Sequence, residues 1–324
     1  MKMGNDLQPA SALTSPRFCN TGTFMRIPHI KDVTNPEIAI VGIPYDCACS
    51  YRTGARFGPQ GIRAISAMIK PANAIMGVNV LENLRAGDYG DVAITPGYIH
   101  PTYEAIENEI RDLMDKNIFP IGLGGDHCIT LGELRAVSKA LGKPVSLVHF
   151  DSHTDICDEV FGQKYNHGTP FRRALEEGLI DPATSIQVGM RGSLYYPDEH
   201  DLSRELGFDI IPTHEMRKIG LDAVIDRIVK RAGDTPVFLT FDIDFVDPAY
   251  APGTGTPEVG GWTSWEALYL VRALKDLNFV GMDVVEVLPA HDNNEITAYL
   301  AANIVFEFIS ILAVQKQQGK RFTE

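Results

Sequence analysis

The segment VSLVHFDSHTDICD, residues 145–158, runs a short apolar stretch, VSLVHF, into a polar cluster. Its two aspartates and two histidines lie within seven positions, from His149 to Asp155, and Asp158 follows. The apolar half predicts a strand buried on both faces, because a continuous β-branched run of this length suits the middle of a parallel sheet. The polar half then falls at the strand's carboxyl end, where open α/β sheets bind their ligands.

The same arrangement recurs along the chain. Apolar runs at 37–44, 118–125, 145–150, 185–190, 208–212, 237–244 and 279–287 read as strands. Segments with helical periodicity lie between them, at about 57–70, 101–116, 130–142, 169–178, 219–232, 263–276 and 293–315. This alternation predicts an α/β fold with a mostly parallel central sheet covered by helices on both faces. Residues 1–36 read as an N-terminal arm, 37–315 as a single domain and 316–324 as a polar C-terminal tail.

Composition excludes several functions. The 324 residues carry 42 acidic against 29 basic side chains, a net charge of −13, so phosphate-driven binding of nucleic acid is not expected. No uninterrupted apolar run reaches the length that spans a bilayer, so no membrane partner is expected. The five cysteines, Cys19, Cys47, Cys49, Cys128 and Cys157, lack paired metal-type spacing, and the N-terminus lacks the apolar core of a secretory signal. A cytoplasmic location is the expectation.

Polar clusters follow four of the strands: GGDH (124–127), DSHTD (151–155), DID (242–244) and Glu286. Within DSHTD, alternation by two puts Asp151, His153 and Asp155 on one side if the segment stays extended. With His127, Asp242 and Asp244 they make a set of four carboxylates and two imidazoles. Singly, each piece also reads as a turn, a helix cap or a hydrogen-bonded histidine. Together, four carboxylates at one crevice repel one another unless cations neutralise them. Oxygen and imidazole donors without thiolate favour manganese, nickel, cobalt or iron over structural zinc. Asp151 and Asp242 are the natural bridging groups, and a metal pair traps a water acidic enough to attack as hydroxide.

These residues also carry a resemblance. GGDH, DSHTD, NHGTPFRRALEEGLI (166–180), TFDIDFVDPAYAPGTGTPEVGG (240–261) and VVEV (284–287) resemble the ureohydrolase family of arginases, agmatinases and guanidino-acid hydrolases, collinearly from about residue 37 to 312. The resemblance implies a three-layer α/β/α arginase-like fold and two divalent ions per chain, manganese first, with nickel or cobalt as alternatives. It implies His127, Asp151, Asp155 and Asp242 as ligands of one ion and Asp151, His153, Asp242 and Asp244 as ligands of the other. It further implies His167 as a proton shuttle, Glu286 as the guanidinium anchor and a homo-oligomer, trimeric or hexameric, with a paralogous partner subunit as the alternative.

The implied reaction is hydrolysis of a guanidino compound to urea and an amine, with a metal-bridging hydroxide attacking the guanidinium carbon. Glu286 pairs with the guanidinium, and Asp155 passes the proton to the departing nitrogen. The tail of the substrate is less defined. Arginases resemble one another in an asparagine where this chain has Cys157, which argues against arginine and points to the agmatinase and guanidino-acid branch. Agmatine and 4-guanidinobutyrate are the leading substrates, with guanidine itself, a dialkylated guanidine or a biguanide as alternatives.

Candidate tail contacts are Cys157, Asp158, Val160, Lys164 and Tyr165, with 192–199 as a second wall. Acidic residues there favour an ammonium; Lys164 or an arginine among Arg52, Arg56 and Arg63 favours a carboxylate. Residues 50–63 also read as a subunit contact, 248–261 as a pocket-shaping loop, and His149 as a hydrogen-bonding neighbour of the ligands. Two other classes compete: a one-zinc deacetylase of the same fold, and a non-catalytic partner subunit.

Overall fold

Strands form where β-branched and aromatic residues run continuously, and each of the seven apolar runs becomes one. The computed structural model describes residues 12–13, 15–19 and 21–320. Its strands are β1 (Ile38–Ile43), β2 (Ala72–Asn73), β3 (Val78–Asn79), β4 (Ala86–Asp91), β5 (Phe119–Gly124), β6 (Ser146–Phe150), β7 (Ile186–Val188), β8 (Asp209–Ile211), β9 (Pro236–Asp242) and β10 (Asn278–Val285). Its helices are α1 (Gly58–Ser66), α2 (Val80–Asn83), α3 (Ile99–Met114), α4 (Thr130–Leu141), α5 (Pro170–Glu176), α6 (Glu199–Glu205), α7 (Thr213–Ile219), α8 (Leu221–Ala232), α9 (Ser264–Ala273) and α10 (Ile296–Gln317).

Eight strands form one sheet in the order β4-β1-β5-β10-β9-β6-β7-β8. Every pairing in it is parallel. Alternate residues serve opposite faces: Ile38 and Ile40 enter a core shared with α1, α8, α9 and α10, whereas Ala39 and Val41 enter one shared with α3, α4 and α5. Burial on both faces explains why the strands read as continuous apolar runs, and it gives three layers.

Local chemistry sets the helix ends. Thr263 and Glu266 form a reciprocal capping box that starts α9, and Gly142, in the left-handed region at φ +65°, ends α4. Helix α10 is apolar all round because it is a core helix. Among the described residues it alone has the length and hydropathy to cross a membrane, yet 83% of that window is buried inside the protein. Its last turn reaches Gln317, so the expected tail at 316–324 starts as helix, and Lys316 pairs with Glu37 at 2.5 Å. Residues 321–324 lie outside the described residues.

The N-terminal segment is more than an appendage. Phe24, Met25 and Ile27 are buried in the core that α1 and α10 share, and the Phe24 N–H donates to Asp88 at 2.7 Å. The expected arm at 1–36 therefore contributes to the core from residue 24, while residues 1–11, 14 and 20 lie outside the described residues. Strand β4, sequence AGDYGD, escapes an apolar reading because it is an edge strand. At Gly87 a side chain would meet Ile30 Cα at 2.7 Å, so no apolar residue fits there.

Candidate metal centre and the cavity beside it

Strands β5, β10, β9 and β6 are neighbours in the middle of the sheet, and each delivers one polar cluster at its carboxyl end. β9 and β10 insert between β5 and β6, which are consecutive in sequence, so the crevice opens where the strand order reverses. His127 follows β5, Asp151 follows β6, Asp242 closes β9 and Glu286 follows β10.

The spacing by two has a different cause from the extended strand expected. β6 stops at Phe150, and Asp155 has φ +50°, so DSHTD turns rather than continuing the strand. Asp151 Oδ1 accepts the His153 N–H at 2.6 Å, and Asp242 Oδ1 accepts the Asp244 N–H at 2.8 Å. Each is an aspartate side chain bonding the backbone two residues on, which folds the chain back on itself. Asp244 Oδ1 in turn accepts the Ser152 N–H at 3.0 Å and the Ser152 hydroxyl at 2.7 Å. One oxygen of each of these carboxylates is thus spent on the protein, and the other faces the centre.

Oxygens of three aspartates, Asp155 among them, converge on one imidazole nitrogen. His127 Nδ1 lies 3.0 Å from Asp151 Oδ2, 3.0 Å from Asp155 Oδ2 and 3.3 Å from Asp242 Oδ2. Beside them, His153 Nδ1 lies 3.1 Å from Asp244 Oδ2 and 3.4 Å from Asp151 Oδ1. All six expected ligands are therefore in one cluster, and all but His153 are buried. His127 Nδ1 and Asp244 Oδ2 are buried without a hydrogen-bond partner. Orphaned polar atoms of this kind, next to crowded carboxylates, fit a divalent cation. Burial, reinforced by the charges of Asp244 and Asp151, holds the Asp242 carboxyl well above the usual carboxylate range. Asp151, His153 and Asp244 offer one compact donor set, and His127, His149 and Asp151 a second.

His149 in that second set is otherwise engaged. Its Nε2 lies 2.8 Å from Asp151 Oδ2, and its Nδ1 lies 3.1 Å from Gln187 Nε2. Gln187 was invisible to sequence reasoning, since only the β6–β7 register, which pairs His149 with Gln187, brings it here.

His167 and Glu286 stand together at 3.4 Å, His167 Nδ1 to Glu286 Oε1. His167 Nε2 accepts the Ser50 N–H at 3.0 Å and lies 2.8 Å from the Ser50 hydroxyl. Glu286 Oε1 also accepts the His127 N–H at 2.9 Å. Glu286 is buried, takes φ +62° and sits behind His167 rather than on the cavity wall. Gly255 leaves the space beside its free oxygen: a side chain there would meet Glu286 Oε2 at 3.2 Å.

A cavity of about 530 Å³ opens onto His153, Asp155, His167 and Asp242. Of the expected tail contacts, Cys157 and Val160 line it; Asp158, Lys164 and Tyr165 do not. Asp158 is drawn away by Arg173 at 2.7 Å, Lys164 is exposed, and Tyr165 packs edge-on against His100 over a neighbouring cleft. The outer wall comes from Glu159, Leu194, Tyr195, Glu199 and His200. None of the three arginines of residues 50–63 lines the cavity. Arg63 is buried against Asp88 and Asp91, Arg56 pairs with Asp46, and Arg52 reaches the Thr254 carbonyl. Arg63 is thus a core ion pair rather than a mouth or subunit contact.

A family model described as the arginase family matches residues 36–310. Guanidinopropionase of Pseudomonas aeruginosa is 40% identical over 96% of this chain and 98% of its own length. The mitochondrial agmatinase of Gallus gallus is 41% identical over 94% of this chain and 89% of its own. The structure of proclavaminate amidinohydrolase from Streptomyces clavuligerus superposes with a TM-score of 0.88 at 40% identity, covering 92% of this chain and 99% of that one. Formiminoglutamase of Trypanosoma cruzi, solved with Mn2+, superposes with a TM-score of 0.79 at 25% identity, over 86% of this chain and 94% of that one.

Proposed function

The chain belongs to the arginase family, and from that premise we propose that it converts a guanidino compound with a cationic tail, of the agmatine type, to urea and an amine. It is a hydrolase of carbon–nitrogen bonds, as its relatives are.

His127, Asp151, Asp155 and Asp242 would hold one divalent ion and Asp151, His153, Asp242 and Asp244 the second, manganese being the ion proposed. Such a pair, when bound, supplies a water-derived nucleophile near neutral pH. Glu286 would hold the guanidinium through its free oxygen, which requires the substrate to reach past His167 into the space that Gly255 leaves beside it. The Asp155 carboxyl takes the proton released and returns it to the departing amine nitrogen. His167 moves protons outward. While it is neutral, Nε2 accepts the Ser50 N–H, and once Nε2 is protonated the Ser50 hydroxyl is the acceptor at hand. The full set of clustered donors speaks against both a one-zinc deacetylase and a non-catalytic subunit.

The observation that carries the tail assignment is the charge on the outer wall. Glu159 and Glu199 face the cavity, and among the described residues no lysine lines it. Arg191 does line it, but its five N–H donors are spent. Nε and one Nη2 hydrogen go to the Glu258 carbonyl, the Nη1 hydrogens to Gly189 and Phe245, and the other Nη2 hydrogen to Asp244. His200 is held below its usual range by burial and by Arg204, so it is neutral at pH 7. On that outer wall a carboxylate tail would find two carboxylates and no free donor cation, whereas an ammonium would find complementary charge. The cavity is also roomier than guanidine alone requires.

The test is urea release by manganese-loaded protein from agmatine and from 4-guanidinobutyrate. Agmatine is expected to show the higher kcat/KM. Glu199→Gln should lower it about two- to fivefold through KM, as loss of one partly exposed ion pair does, and should leave guanidinobutyrate unimpaired. Faster guanidinobutyrate turnover by the wild type would contradict the tail assignment and leave the reaction class standing.

A further inference from the structure

Gln187 is fully buried on β7, next to β6 and opposite His149. All of its amide contacts are defined. Nε2 lies 2.6 Å from the Thr154 carbonyl, which only accepts, so this end of the amide is the NH2 group. Oε1 accepts the Ser203 hydroxyl from α6 at 2.7 Å, which agrees with that orientation. The second Nε2 hydrogen then points at His149 Nδ1, 3.1 Å away, and that nitrogen must present its lone pair. The proton of the neutral ring is therefore on Nε2, where it donates to Asp151 Oδ2 at 2.8 Å.

We propose that Gln187 is a positioning residue for the metal centre, setting the His149 tautomer that orients Asp151 and holding the Thr154 carbonyl that precedes Asp155. One amide thereby braces two of the three aspartates around His127 Nδ1. It also removes His149 from the candidate ligands, because one ring nitrogen bonds Gln187 and the other carries a proton. Thr154 is drawn toward β7 at the point where the chain turns into the positive φ of Asp155, so the brace also supports that strained residue. Reversing the amide would set an NH2 group against the Ser203 hydroxyl and an oxygen against the Thr154 carbonyl. The orientation is thus fixed by contacts outside the centre. Hydrogen bonds that hold ligands in place typically contribute about 10–100-fold to metal affinity.

The inference rests on the metal-centre reading, and the experiment separates the two. Manganese affinity is measured by chelator competition on metal-free wild type, Gln187→Glu, His149→Gln and His149→Phe, with the thermal unfolding of each metal-free protein alongside. Gln187→Glu keeps the shape but replaces the donor with acceptors facing Thr154 and His149. Its manganese dissociation constant should rise about 10–100-fold, with kcat recovered at saturating manganese and KM unchanged. His149→Gln keeps an N–H near the position of Nε2 and should bind manganese at least tenfold more tightly than His149→Phe. Unchanged manganese affinity in Gln187→Glu, even with a lowered melting temperature, would mark Gln187 as ordinary core and overturn the proposal. If Gln187→Glu does not fold, equal affinities in the two His149 variants would overturn it. Absence of manganese binding by the wild type would instead overturn the metal centre, and the brace with it.

Discussion

Glu286 shows how a single residue acquires its role from its surroundings. Its backbone adopts φ +62°, a conformation that costs a non-glycine residue about 1 kcal/mol or more, and the turn sends the carboxylate back beneath the crevice. One oxygen is held by the His127 N–H and faces His167; the other lies next to Gly255. In the reaction proposed, that free oxygen is what meets the guanidinium. Glu286→Gln keeps the shape and removes the charge, so manganese content should be unchanged while kcat/KM falls at least about a hundredfold, the loss expected when a buried ion pair is broken. Metal analysis and urea release on the same sample check this. Undiminished turnover would remove Glu286 from the mechanism. The anchor's place at a strand end was legible in VVEV; its burial behind His167 was not, because that depends on where residues 50 and 255 fall in space.

At the scale of elements, the strand ends do the positioning. The aspartates of DSHTD and DID read correctly as converging groups, but through the wrong geometry, since side-chain bonds to the backbone two residues on replace strand alternation. Either geometry gives a spacing of two, so the spacing alone could not distinguish them. The end of β7 is equally constrained. Gly189 has φ +106°, and a side chain there would lie 2.4 Å from the Phe245 ring and 2.7 Å from the Asp151 carbonyl. Gly189→Ala should therefore destabilise the protein by about 2–4 kcal/mol, from overpacking and backbone strain together, as read by urea unfolding of the metal-free protein. A change below about 0.5 kcal/mol would mean the loop yields freely. The long helices were legible from their periodicity, whereas α6 was not: it is seven residues long and buries only Ser203. Yet α6 carries Glu199 and His200 on the cavity wall and Ser203 behind Gln187.

For the whole molecule, topology turns four distant stretches into one site. The centre draws on residues 127, 151–155 and 242–244, with Glu286 behind them, and the sheet order β5-β10-β9-β6 makes their strands adjacent. That convergence could be anticipated from apolar runs ending in polar clusters, because a parallel sheet places all its carboxyl ends on one edge. The wall proposed to select the substrate's tail could be anticipated only in part. Lys164 and Asp158 lie in the expected loop, but the fold turns one outward and pairs the other with Arg173. Six side chains are proposed to hold two divalent ions that hydrolysis requires. The most direct test is the metal content per chain of wild type and Asp244→Ala after manganese loading and desalting, measured by inductively coupled plasma mass spectrometry beside urea release. Two manganese ions are expected per wild-type chain, and at most one with no measurable urea for Asp244→Ala. A single ion in the active wild type, or full turnover by Asp244→Ala, would contradict the two-ion centre.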